Sequence, residues 1–450
     1  MSKRHQAAVT ARQRAVEHLN RIGIDGAFVG LVREEDLAES IDPRAERQAT
    51  EYVAGVTRWR RYLDFVLRHF YKGSFKKMEP VLKQILRLGL YEVLMLKTPP
   101  HAALSEAVGL AKRLVRPGAG GLVNGILRNV LRQKEHLPEP STDDPADDLA
   151  IRHSHPTWIV RRWLARFGSQ ETEALLRWNN TRPRYSLRPN FFKISPGDFK
   201  KNMGEEGIMW ETSEFLDDFV RVQRLQAVLR AGWVEEGVCA VQDESGGLVV
   251  RLLDPQPGEA LVDACAAPGG KALYAAARMR NQGRLFAIDI HPGRLRLAER
   301  AAAAQGISIL RPHAADLRDL VQQDDRPAAD RVLLDAPCSG LGVLAKRADL
   351  RWHRTAEEIE ELTTLQDQLL DAAAQLVRPG GLLVYSTCTI EPEENQQRVE
   401  AFLERHEAFQ LEPATGFVPE AVVTSEGYLA TLPHRHHIDG AFGARLRRRA

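Results

Sequence analysis

From Gly246 onward, short apolar strands alternate with alanine-rich helices, and this alternation restricts the fold more than any other feature of the chain. Residues 260–263, 285–289, 331–335 and 381–386 read as strands, with helices over 271–279, 294–305 and 357–377 between them. Strands separated by helices pair in parallel, because a parallel crossover needs an element to return the chain. The expected class is α/β, a Rossmann-like doubly wound sheet whose ligands bind at the carboxyl ends of its strands.

The N-terminal third has a different texture. Ala7, Ala8, Ala11, Ala15 and Leu19 mark one helical face, and Val53, Val56, Leu63, Val66, Leu67 and Phe70 keep a spacing of three to four. Alternating patterns are scarce, so residues 1–137 are expected to form an all-helical domain. Residues 138–150, rich in Pro, Ser and Asp, read as a linker. Two helical pieces, 158–167 and 171–178, precede a mixed pattern, which gives a small α+β middle subdomain over 151–237. The catalytic domain is expected over 238–450.

The net charge of +2 says little about partners, but its distribution says more. Residues 1–138 carry 24 Lys+Arg against 14 Asp+Glu, a balance that suits a polyanion-binding module. A solvated, Arg-rich helical surface is the plainer alternative. Four cysteines in 450 residues, with no CxxC pair, make no disulfide framework. We expect a cytoplasmic monomer without a signal peptide, a membrane span or a bound metal. The histidines of His434-Arg435-His436-His437 lack a Cys or acid at ligand spacing.

The signals for chemistry fall at strand ends. After the first strand come Cys265, Ala266, Ala267, Pro268, Gly269, Gly270 and Lys271, small residues that let backbone approach a ligand before a helix begins. The second strand ends in Asp289, placed to accept hydrogen bonds from ribose hydroxyls. Asp316 follows a possible further strand, where an acid can meet an adenine amino group or simply cap a helix. The loop is not GxGxxG, so S-adenosylmethionine, which has no pyrophosphate, suits it better than NAD.

Two further strand ends carry cysteines, in Asp335-Ala336-Pro337-Cys338 and Ser386-Thr387-Cys388. A lone buried cysteine is usually a small hydrophobe; two at adjacent strand ends, one beside an acid, point to chemistry. Carbon 5 of cytosine becomes nucleophilic when a thiolate adds to carbon 6. An acid such as Asp335 at ring nitrogen 3 stabilises the developing charge, and a cation such as Lys271 favours the thiolate.

At these residues the chain resembles the Sun/Fmu/NSUN family of RNA cytosine-5 methyltransferases. The matching stretches are QDESG (242–246), CAAPGGK (265–271), LLDAPCSGLGV (333–343), RWHR (351–354), STCTIEPEEN (386–395) and LPHRHHIDGAF (432–442). The resemblance implies that Cys388 is the nucleophile, that Cys338 assists release of the methylated RNA, and that Cys265 to Lys271, Asp289, Asp316 and Asp335 contact the cofactor. RAERQATEYVAGVTRWRRYLDFVL (44–67) and PPHAALSEAVGLAKR (99–113) resemble the NusB-like RNA-binding domain of the subfamily that acts on small-subunit rRNA. Ala272, where the family has Thr, Pro189-Asn190-Phe191-Phe192-Lys193, and Ala441-Phe442 depart from its pattern without removing a catalytic group.

An exposed or single-stranded cytosine is the expected target, because the base must leave any stack. Trp158, Trp163 and Trp352 are candidates for stacking bases and Arg58, Arg60 and Arg61 for phosphate contacts, with core packing and plain surface as the alternatives. A tRNA substrate, a non-catalytic RNA-binding assembly factor and a nicotinamide dehydrogenase are the rival functions.

Overall fold

The computed structural model describes residues 9–25 and 42–450. The sequence features at residues 1–8, including Ala7 and Ala8, lie outside them. The chain divides into two compact units, one of residues 1–181 with Arg347–His353, the other of Arg182–Lys346 with Arg354–Ala450.

The first unit is all-helical: α1 (Ala11–Asp25), α2 (Pro43–Phe70), α3 (Pro80–Leu94), α4 (Pro100–Leu114), α5 (Ala119–Arg132), α6 (Pro145–Arg152) and α7 (Thr157–Asn179). Local chemistry sets their limits. Asp42 caps α2 by accepting from the Arg44 amide, and Pro43 occupies its first turn. The apolar stripe of α2 then buries Val53, Val56, Leu63, Val66 and Leu67 against α1 and α3. Buried Glu92 ties the three together, taking Arg12 at 2.7 Å and the Tyr52 hydroxyl at 2.9 Å. The expected linker is helical in its second half, because Asp144 caps α6 and Pro145 starts it. The two helical pieces expected after it are the halves of α7, which break at Gly168, where φ is +73°.

The second unit contains two sheets. Four short antiparallel strands form the smaller, in the order β2-β3-β1-β4: β1 (Tyr185–Pro189), β2 (Trp210–Thr212), β3 (Val220–Val222) and β4 (Cys239–Val241). The larger has the order β10-β12-β9-β8-β5-β6-β7, with β11 paired to β12. Its parallel part is β5 (Ala260–Asp263), β6 (Arg284–Asp289), β7 (Leu310–Ala314), β8 (Ala329–Asp335) and β9 (Val377–Thr387). The sheet is mixed, not parallel throughout as the alternation suggested. β10 (Phe409–Glu412), β11 (Leu429–Thr431) and β12 (Ala441–Arg448) join it antiparallel, with β12 against β9. Helices Gly270–Arg278, Pro292–Gln305 and Ala356–Leu376 cover its faces, and β5 is buried throughout and β8 through Val332–Leu334, as central parallel strands must be.

Glu244, fully buried, joins the small sheet to the helix Glu244–Leu253, which packs on β9 and β12, by accepting from Arg221 Nε at 2.6 Å and from the Ser186 hydroxyl at 3.1 Å. No helix among the described residues is long and apolar enough to cross a membrane.

Candidate active site

The loop after β5 turns sharply under backbone control. Ala264 N–H bonds the Leu333 carbonyl and Ala266 N–H the Ile288 carbonyl, each at 2.8 Å, so the loop is held against both flanking strands. Gly269 has φ +103°, and a Cβ there would stand 2.7 Å from that of Ala298. Only glycine fits, and the helix Gly270–Arg278 starts immediately after it.

A cleft of about 230 Å³ opens at the ends of β5, β8 and β9, lined by residues that include Asp243, Asp263, Cys265 to Pro268, Gly270, Lys271, Asp335, Cys388 and Asp439. Two cysteines meet at its edge. Cys338 Sγ and Cys388 Sγ lie 3.3 Å apart, both half-buried, and neither is in a disulfide. Hydrogen bonding from Cys338 lowers the Cys388 pKa, against burial and the Asp335 charge, and Lys271 lowers it further. The Cys338 thiol is pushed up by the same bond, by burial and by the Glu394 carboxylate. The Cys388 amide also points at Cys338 Sγ at 3.3 Å, which works the other way.

Lys271 Nζ lies 2.7 Å from Asp335 Oδ2, while the Ser386 hydroxyl donates to Asp335 Oδ1 at 2.8 Å. Burial opposes the Lys271 charge, but the Asp335 carboxylate outweighs it and raises the Lys271 pKa. Asp263 is buried with Oδ1 unpartnered, and burial followed by repulsion from Asp335 pushes its pKa up to about 7.

The other predicted acids take different places. Asp289 accepts from the Ala267 amide at 3.1 Å and the His291 amide at 2.9 Å, which leaves each oxygen a further lone pair. Asp316 caps Leu317–Leu320 and pairs with Arg318 at 2.7 Å; that pairing holds its pKa low. Neither lines the cleft with Cys388. Both carboxylates, with those of Asp263 and Asp335, raise the Cys265 thiol pKa after burial, which places four acids around the loop.

A third cluster was missed in the sequence. Lys346 Nζ pairs with Asp243 and, at 2.9 Å, with Asp439 Oδ2. Burial and the neighbouring Asp243 push the Asp439 pKa up to about 7. Backbone contacts bring it beside Cys388: the Gly342 amide bonds the Cys388 carbonyl at 3.1 Å and the Gly440 amide bonds the Gly342 carbonyl at 2.8 Å. The only available signal was that Asp243 and Asp439 stand inside QDESG and HIDGAF; nothing in their spacing joins them.

The aromatic and basic candidates of the helical part are packed inside their own unit. Trp163 is fully buried, the Trp352 indole N–H donates to the Thr57 carbonyl at 2.7 Å, and Arg60 lies 4.3 Å above the Trp352 ring. Arg58 is buried, and Arg61 bonds the His155 carbonyl, Thr157 and Asp147. The core-packing alternative therefore holds for Trp163 and Trp352, while the three arginines are packed instead of lying on the plain surface that was their alternative. His436 accepts from the Leu432 amide at 2.8 Å and packs edge-on against Phe215.

A strand-end loop of small residues ringed by acids, on a parallel sheet with an antiparallel edge, defines a Rossmann-like S-adenosylmethionine-dependent methyltransferase. The chain matches the 16S rRNA methyltransferase RsmB/F family over residues 250–447, the NusB family over 9–132 and the RsmF/B-like ferredoxin-like domain over 155–229. It is 33% identical to a probable ribosomal RNA small subunit methyltransferase B of Bacillus subtilis over 98% of this chain and 99% of that one. A probable enzyme of the same name from Synechocystis is 35% identical over 98% and 100%. The crystal structure of PH0851 superposes with a TM-score of 0.80 at 27% identity, covering 99% of this chain and 100% of that one. The chain belongs to the RsmB/F family of rRNA small-subunit methyltransferases.

Proposed function

We propose that the protein transfers a methyl group from S-adenosylmethionine to carbon 5 of a cytosine in small-subunit rRNA, through a covalent bond between Cys388 and carbon 6. The observation that carries this reading is the 3.3 Å approach of Cys388 to Cys338, with the Lys271–Asp335 pair lining the same cleft.

The residues around the cleft fit the cofactor. The loop from Cys265 to Lys271 offers small side chains, Asp289 retains lone pairs for hydroxyl donors, and Asp263 Oδ1 is a buried acceptor in want of a donor. Asp335 adds a carboxylate to the cleft lining, and Asp316, outside that lining, is the candidate to meet the adenine amino group. Bound there, S-adenosylmethionine supplies a methyl group to carbon 5 and leaves as the neutral thioether.

The protein's own groups do the rest. The Cys388 thiolate forms the bond to carbon 6 and drives the ring's double-bond electrons toward carbon 5. The proton that ring nitrogen 3 takes up comes through Asp335 from the Lys271–Asp335 pair and returns to it when the ring is restored, and Lys271 keeps that carboxyl and Cys388 in register. Solvent takes the carbon 5 proton, the electrons of that bond restore the 5,6 double bond, and the Cys388 thiolate is expelled. Cys338, kept as a thiol within reach of Cys388 sulfur, assists that release. The helical domain, 1–137, and the middle subdomain, 151–237, hold the RNA, and cytoplasmic rRNA is the natural substrate of such a chain.

The test is transfer of labelled methyl to unmethylated small-subunit rRNA and to bulk tRNA, by the wild type, Cys388→Ala and Cys338→Ala. The expected outcome is label on rRNA, lost in Cys388→Ala, and a covalent RNA adduct with Cys338→Ala on a denaturing gel. Label confined to tRNA, or an adduct with Cys388→Ala instead, would overturn the substrate or the division of roles.

A further inference from the structure

The cations that face outward from the helical unit are not those the sequence singled out. They gather between the end of α2 and the start of α3. Arg68, Lys76, Lys83 and Arg87, with Phe75 and Asp64, line a cleft of about 580 Å³. That is the size range of pockets for nucleotide-sized ligands, roughly 300–1,000 Å³. Asp64 is already committed, since Arg87 grips both its oxygens at 2.7 Å. No carboxylate among the described residues pairs with Arg68, Lys76 or Lys83.

Two of these charges are held at one ring rather than splayed apart. Arg68 and Lys83 both lie over the Phe75 ring, at 5.2 and 5.4 Å from its centre. Lys83 Nζ leans toward the Lys76 carbonyl at 3.4 Å. Partial burial and the Arg87 and Arg68 charges lower the Lys83 pKa, so the cations already repel one another. Like charges gathered on one ring, beside a single acid that Arg87 already holds, are relieved by an anion. A guanidinium fork beside two ammonium groups matches the tetrahedral oxygens of phosphate better than it matches one planar carboxylate.

We propose that this cleft binds a backbone phosphodiester of the substrate RNA. The proposal rests on the RNA reading given above and adds a site to it. Such contacts fix register and contribute affinity without reading sequence. They act on RNA binding and leave the chemical step at Cys388 untouched.

The experiment is filter binding of unmethylated small-subunit rRNA by the full-length protein across a salt series. One variant is Arg68→Gln/Lys83→Gln; the comparator is Lys72→Gln/Lys77→Gln, which removes two exposed charges outside the cleft. The cleft variant is expected to bind about tenfold more weakly and to flatten the salt slope by roughly one to two, as for one or two lost phosphate contacts. Its kcat at saturating RNA stays unchanged while KM rises, and Lys76→Gln alone gives part of the loss. The comparator stays within about twofold of wild type, because net charge screened at physiological salt contributes little. Matching thermal transitions exclude misfolding as the cause. Equal losses in both double variants would reduce the site to net charge and overturn the proposal. Unchanged RNA binding by the cleft variant would also overturn it, whether the cleft then held free phosphate or an acidic protein. RNA bound by wild type but never methylated would sink the enzymatic reading while leaving the cleft standing.

Discussion

An ordinary cysteine is mostly protonated at neutral pH, so the reaction depends on what surrounds Cys388. Its neighbours include a cation, Lys271, and a thiol donor, Cys338. Lys271→Met removes the cation and leaves Asp335 as an unpaired carboxylate facing the thiol. The ascending limb of kcat/KM against pH is expected to move up by about one unit or more, since an opposite charge at this range shifts a pKa by roughly one to three. An unmoved limb would mean that Lys271 does not set the thiolate. Asp263 gives a second prediction, on stability. Its pKa is about 7 in the folded protein and near the ordinary carboxylate value, about 4, when unfolded. Over that window the folded state holds a proton that the unfolded state has lost, so stability falls as pH rises. Asp263→Asn cannot ionise, and its melting temperature relative to wild type is expected to be higher at pH about 8 than at pH about 5. A constant difference between the two melts would contradict this. Single residues were legible in the sequence where a strand end fixed their place, as for Asp335, Cys338 and Cys388. The cap that Asp316 forms was one of its two readings, and a side chain's local hydrogen bond leaves no trace in spacing.

At the scale of elements, the two cysteine loops are fastened by one buried acid. Glu394 Oε1 accepts from the Ser339 amide at 2.7 Å and from Gln366 at 3.1 Å, while Oε2 takes the Ser339 hydroxyl at 2.5 Å. That hydroxyl lies 2.8 Å from Thr389 Oγ1 on the Cys388 loop. Asn395 continues the clamp, accepting from the Thr387 hydroxyl at 2.6 Å and donating to the Thr389 carbonyl at 3.1 Å. Glu394→Ala strands the buried Ser339 amide, at a cost of about 1–3 kcal/mol, and leaves the Ser339 hydroxyl only Thr389. The expected result is a lower melting temperature, and a loss of kcat that Glu394→Gln partly restores because it keeps one acceptor oxygen. Full activity in Glu394→Ala would show that the loops hold their spacing unaided. The strand–helix alternation made β5, β6, β8 and β9 readable. β2, β3 and β4 have three residues each, too few for a period of two to register. β12 joins the sheet from the far end of the chain, and its pairing with β9 is a long-range choice that local pattern does not encode.

At the scale of the molecule, the division into two units does not follow the chain. Arg347–His353 comes after the Cys338 loop in sequence, yet belongs to the helical unit. RWHR was legible as a motif, but its role was not, since burial partners nearly two hundred residues away are invisible to spacing. Arg351 is fully buried; its guanidinium donates to the Asn180 side chain at 2.8 Å and to the Ser154 and Asn179 carbonyls at 3.1 and 3.0 Å. Ser154 lies in the turn between α6 and α7 and Asn179 and Asn180 at the far end of α7, so this one side chain ties that turn to the end of the following helix. Arg351→Met keeps much of the volume and loses every donor. With hydrogen bonds to a charged group contributing about 1.5–3 kcal/mol each, the loss is large for the helical unit and small for the sheet. Hydrogen exchange by the full-length variant is therefore expected to quicken in residues 150–181 while the amides of β5, β8 and β9 keep their protection. Equal loss of protection in both units would mean that they unfold as one body. Exchange unchanged in 150–181 would mean that Arg351 is a passenger in the core, and that the packing of Trp352 against Thr57 and Arg60 alone holds the segment in place.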